Sequence, residues 1–129
     1  MSTPNPLLVP GLSALAPAYK AVLCDVWGVL HNGVAAFPKA CEALQRYRAE
    51  TGGKVVLITN APRPSPPILD QLARLGVPRD AFDAVVTSGD VTRAQLQAHS
   101  DIPVIHIGPD RDHSLFAGLD LTLTDEAGA

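Results

Sequence analysis

Cysteine and clustered positive charge are both scarce in this chain, and each scarcity closes off a class of function. With two cysteines, Cys24 and Cys41, in 129 residues and no paired metal-ligand spacing, neither a disulfide framework nor a zinc-type site is expected. Both thiols read as reduced, buried small hydrophobes. Lysine and arginine total 10 against 13 acidic residues, and nowhere cluster densely enough to track a phosphate backbone, which argues against nucleic acid as a partner. No apolar run approaches the ~20 residues that a membrane-spanning helix needs, and the N-terminus lacks a charged segment followed by an apolar core. A soluble cytoplasmic protein without membrane association is expected.

What remains is a composition suited to a buried sheet: 47% hydrophobic and 18% charged residues, enough for one domain with a real core. Residues 1–19 hold four prolines (Pro4, Pro6, Pro10 and Pro17) and read as an arm that packs a few leucines on the core without a regular element. From residue 20 to 129 strand and helix patterns alternate, which points to right-handed βαβ crossovers and a Rossmann-like parallel sheet with helices on both faces. The run Ala21-Val22-Leu23-Cys24 reads as a strand buried on both faces. Lys54 to Asn60 repeats the pattern. Further strands are expected at Ala84–Thr87, Pro103–Ile107 and Leu119–Leu123.

The first helix is expected from about Pro38 to Glu50, with Ala40, Cys41, Leu44 and Tyr47 on its apolar face and Gly52-Gly53 ending it. Lys54 after that glycine pair lacks the spacing and the following Ser/Thr of a phosphate-binding loop, so that reading is rejected. A second helix starts at Ser65, read as its cap, with Pro66 and Pro67 in the first turn and Ile68, Leu69, Leu72 and Leu75 facing inward up to Gly76. Its amino end, facing the Thr59-Asn60 strand end, offers backbone N–H groups and partial positive charge to a phosphate. A third helix spans Ser88 to about His99, and one or two helical turns are expected over Asp110–Phe116.

The chemistry gathers at two strand ends. Ligands of open α/β sheets bind beyond the carboxyl ends of the strands, where Asp25 ends the first strand and Thr59-Asn60 the second. Alone, Asp25 would read as a residue capping the turn after its strand. Paired with the second strand end, it reads as a nucleophile. The segments Asp25-Val26-Trp27-Gly28-Val29-Leu30-His31-Asn32-Gly33 and Leu57-Ile58-Thr59-Asn60 resemble the first and second motifs of the haloacid dehalogenase-like (HAD) hydrolases, in the form found among nucleotide, sugar-phosphate and p-nitrophenyl phosphate phosphatases. Leu72–Pro78 and Val86–Asp90 continue the resemblance, which covers roughly residues 20–125.

That resemblance implies a Mg²⁺-dependent hydrolase of small phosphorylated metabolites. Asp25 would attack phosphorus to form an aspartyl-phosphate, Thr59 and Asn60 would hold the phosphoryl, and the Asp25 carboxylate with the Trp27 carbonyl would bind magnesium. It also implies a cap domain, a lysine motif and an acidic motif that cannot be located here. The chain therefore reads as the N-terminal part of a HAD core, with little or no turnover by itself. Trp27 stands where such phosphatases usually carry a second aspartate, the general acid, so both rate and reaction type are in question. Packing over the site and stacking on substrate are equal readings for Trp27. A non-catalytic phospholigand-binding or protein-interaction domain is the alternative. A phosphoacceptor signalling domain is disfavoured, because no acidic pair lies upstream of Asp25.

His31 reads mainly as an exposed loop residue beside an Asn32-Gly33 turn, with replacement of the missing acid as the lesser reading. Arg63 reads as a solvated loop residue before a contact to an anionic substrate. His99, His106 and His113 are scattered and read as surface or strand residues. An incomplete sheet with an open edge or apolar face favours a homodimer.

Overall fold

The computed structural model describes residues 8–125, so the first part of the proline-rich arm lies outside the described residues. Within its remainder, Leu12–Ala14 and Ala16–Ala18 form single 3₁₀ turns, where no regular element was expected. Leu12 and Ala16 rest against the core.

Three parallel strands, β1 (Ala21–Asp25), β2 (Lys54–Thr59) and β3 (Ala84–Thr87), lie side by side in the order β1-β2-β3. Helices α1 (Pro38–Thr51), α2 (Ser65–Leu75) and α3 (Ser88–Ala98) follow them in turn. Because successive crossovers share one hand, α1 and α2 fall on the same face. Cys41, Leu44 and Tyr47 of α1 and Ile68 and Leu72 of α2 close over Val55 and Leu57 in one core. The Tyr47 hydroxyl donates to the Tyr19 carbonyl at 2.9 Å, anchoring the arm.

The opposite face is only partly covered, which corrects the reading of β1 as buried on both sides. Leu23 is 69% exposed, and Ile58 and Val86 on the same face are also open. Helical cover reaches this face where Val91 and Thr92 of α3 line a hollow with Ile58 and Val86.

At the amino ends of the strands, Asp83 ties the layers together. It accepts from the Val55 N–H at 2.8 Å and pairs with Arg48 of α1 at 2.9 Å and Lys54 at 3.3 Å. The Val55 N–H holds its carboxyl well below the ordinary range, at about 2; burial opposes, and Arg48 and Lys54 add to the lowering.

Two expected strands do not form. Pro103–Ile107 and Leu119–Leu123 meet at one parallel bridge, Val104 with Leu123, in which the Val104 N–H donates to Thr122 at 2.9 Å and the Thr124 N–H to Val104 at 3.0 Å. Asp110–Leu115 forms the expected short helix, of 3₁₀ type. The histidines are less scattered than their spacing suggests: the His106 ring lies 4.9 Å from His113 and 5.2 Å from Phe116, centroid to centroid.

Candidate functional site

All the residues singled out for chemistry lie at the carboxyl end of the sheet, but they divide between two adjoining hollows. Asp25 is in register with Ile58, so both side chains project from the open face. Asp25 therefore opens on a broad depression of about 580 Å³, shared with Leu23, Trp27, Ile58 and Asn60. One carboxylate oxygen, Oδ1, accepts from the Val26 N–H at 2.7 Å. Thr59, one residue on, faces the covered side and is buried. It lines a hollow of about 200 Å³ with Trp27, His31, Asn60, Arg63 and Gln71. Trp27 and Asn60 belong to both. Thr59 Oγ1 accepts from the Ala61 N–H at 3.3 Å.

The loop after β1 folds back on itself. Gly28 N–H donates to the His31 carbonyl at 2.8 Å, and Asn32 Oδ1 accepts from the Val34 and Ala35 N–H groups, both at 2.9 Å, which makes the expected turn. Gly33 has φ +87°, and a Cβ there would lie 2.3 Å from the Trp27 ring; only glycine meets both demands. Trp27, 60% exposed, rests on Gly33 and meets the His31 ring edge-on at 5.1 Å.

His31 departs most from expectation: it is buried, 3% exposed. Its Nδ1 accepts from the Gly33 N–H at 3.0 Å, which places the ring proton on Nε2. Burial pushes its pKa down and favours the neutral ring. The sequence signal for this tuck was the pair Gly28 and Gly33 bracketing a short loop. Arg63 stays exposed, held to Gln71 Oε1 at 2.8 Å.

Helix α2 does not offer its amino end to a ligand. Ser65 is its first residue rather than its cap, and the cap position, Pro64, makes no side-chain bond. The Ser65 N–H is taken at 2.9 Å by Asp90 Oδ1, while Pro66 and Pro67 have no N–H. Asp90 Oδ2 also accepts from the Thr87 N–H at 3.3 Å, and Thr87 Oγ1 accepts from the Asp90 N–H at 2.8 Å, a capping box on α3. Burial pushes the Asp90 pKa up, and the bonds from Ser65 and Thr87 outweigh it, so the net shift is downward. Next to it, the Ser88 hydroxyl lies within bonding distance of the Asn60 and Ala61 carbonyls, at 2.9 and 3.0 Å. A Cβ on Gly89 would stand 2.4 Å from the Arg63 backbone. The start of α3 is thus the scaffold of the Asn60–Pro64 loop.

Both cysteines are free. Burial first, then the neighbouring Asp25 and Cys41, push the Cys24 thiol up, so it stays protonated rather than nucleophilic. Among the described residues no three His, Cys, Asp or Glu side chains form a metal-binding group. For magnesium the site offers Asp25 Oδ1, which keeps a second lone pair beside its bond from Val26, and the Trp27 carbonyl, to which no described backbone N–H donates. Hard oxygens, few in number, suit an ion that keeps several waters and binds through one or two protein groups and substrate phosphate.

A parallel sheet with a carboxylate at one strand end and a Thr-Asn pair at the next makes an α/β core with its candidate site at the carboxyl ends of the strands, and comparison with known proteins gives its class. The family model for haloacid dehalogenase-like hydrolases matches residues 22–122. The chain belongs to that family. A haloacid dehalogenase-like hydrolase from Brucella suis is 45% identical with a TM-score of 0.79, over 93% of this chain and 45% of that one. A 4-nitrophenylphosphatase from Thermotoga maritima shares the fold, with 22% identity and a TM-score of 0.65, over 88% of this chain and 43% of its own. The chain thus spans less than half the length of either. Among curated proteins none matches. No helix among the described residues is long and apolar enough to cross a membrane.

Proposed function

We propose that the whole protein is a magnesium-dependent phosphatase of small phosphorylated metabolites, working through an aspartyl-phosphate on Asp25. The observation that carries this reading is the Asp25 carboxylate at the end of β1, opening with Asn60 on one depression. With Oδ1 held by the Val26 N–H, Oδ2 is free to attack phosphorus in line with the departing alcohol, and water then cleaves the acyl-phosphate. Asn60 orients the phosphoryl group. Thr59, expected from the sequence to share this task, lines the adjoining hollow and not the Asp25 depression. Asp25 and the Trp27 carbonyl would hold magnesium, which when bound neutralises phosphoryl charge.

The 4-nitrophenylphosphatase among the structural neighbours makes p-nitrophenyl phosphate the assay of choice. Turnover that disappears in Asp25→Asn supports the reading, and turnover that survives it refutes it. The 129 residues alone are expected to give little or none, because they span less than half the length of either structural neighbour. A second reading, binding of a phosphorylated ligand without turnover, is favoured by Trp27, whose ring can neither donate nor accept the leaving-group proton. Saturable ligand binding with no hydrolysis by the longer protein would establish it.

Two free thiols support a cytoplasmic location. The open apolar face at Leu23, Ile58 and Val86 supports association of two copies, to be read by light scattering on the chain and on Leu23→Lys.

A further inference from the structure

The Asp25 reading accounts for one of the two adjoining hollows and leaves the other unassigned. The second, of about 200 Å³, is walled by Trp27, His31, Thr59, Asn60, Arg63 and Gln71 among others, and no Asp or Glu lines it. Its polar groups are rich in donors. Arg63 is in no ion pair among the described residues, and its Gln71 contact holds the guanidinium in place. His31 is 3% exposed and carries its proton on Nε2, because Nδ1 accepts from Gly33. No fully buried side-chain nitrogen or oxygen lacks a partner, and Nε2 has none in the protein, so it must reach open space, which the hollow provides. A fixed neutral donor and an unpaired guanidinium lining one hollow, with amide and hydroxyl groups in the same wall, suit an anionic oxygen group.

We propose that this hollow binds a second anionic group of the ligand, so that the substrates are small metabolites with a phosphoryl group at one end and a carboxylate or second phosphate at the other. The inference rests on the phosphatase reading for the first group only: Asp25 and Asn60 take the phosphoryl, and Arg63 and His31 take the other anion across the wall formed by Trp27 and Asn60. Charge-assisted bonds of this kind are worth about tenfold or more in affinity.

The test uses ligands that cannot be hydrolysed, so it does not depend on turnover. Alkylphosphonates, ω-phosphonocarboxylates and alkane bisphosphonates of matched lengths are titrated calorimetrically into the protein with Mg²⁺ present, and the His31 ring proton resonances are followed by NMR. At one length, the carboxylate or the bisphosphonate arm is expected to bind about tenfold more tightly than the alkylphosphonate and to shift the His31 signal. The arm that gains identifies the second anion. In Arg63→Gln that gain disappears while alkylphosphonate binding is unchanged. Equal binding by all three series, a gain that survives Arg63→Gln, or no binding at all would overturn the inference. Failure of the phosphatase reading shows separately, as absence of Asp25-dependent turnover, and leaves this comparison readable.

Discussion

Trp27 sits where a proton-transferring carboxylic acid would serve a phosphatase, and its ring cannot take that part. Replacing it is therefore informative. In the active longer protein, Trp27→Asp is expected to raise kcat on alkyl phosphates, whose leaving groups need a proton, by ~10²–10⁴-fold. On p-nitrophenyl phosphate, which departs unaided, it should change little; steady-state kinetics on the two substrates checks both halves. The same residue shows what the sequence could and could not say. The position of Asp25, Thr59 and Asn60 at strand ends was legible because each follows a recognisable apolar run. The division of Asp25 and Thr59 between two hollows was not, since it depends on strand register, and Asp25 faces with Ile58 rather than with Thr59. The burial of His31 left no trace but the bracketing Gly28 and Gly33, because a loop folding back on its own backbone leaves no periodicity to read.

At the scale of elements, the start of α3 governs the loop that carries Asn60. Gly89→Ala would drive a methyl group into the Arg63 backbone, which cannot yield like a flexible side chain. A loss of about 1–3 kcal/mol in urea unfolding is expected, with displaced Asn60 and Arg63 resonances. The opposite end of the sheet has a pH signature. Asp83 holds its proton less readily folded, at about 2, than unfolded, at about 4. Its stabilising effect is therefore full above about pH 4 and is lost as the pH falls toward 2. Thermal melts across that window should show the wild type losing stability while Asp83→Asn, already lacking it, varies less. Helices α1 to α3 and strands β1 to β3 were readable from periodicity and punctuation. Ser65 was misread as a cap because the carboxylate that serves α2 comes from Asp90, 25 residues away in sequence.

Across the whole molecule, order is concentrated in the three strands and the helices packed on them. The segments around Val104 and Leu123 have the composition of strands, yet a strand needs a neighbour, and these meet at a single bridge with Ile105, Ile107 and Leu123 exposed. Sequence reports hydrophobicity and alternation; it does not report whether a partner strand is present. Hydrogen exchange should separate the two regions, with the Val104 and Thr124 amides exchanging well ahead of those in β2. Uniform protection across both would contradict this division. The chain's single tryptophan stands in the wall that both hollows share, with 60% of its surface open to water. The protein therefore carries its own fluorophore at the point where ligands arrive: a molecule entering either hollow strips solvent from the indole and moves its emission, so occupancy can be followed without a label and without turnover.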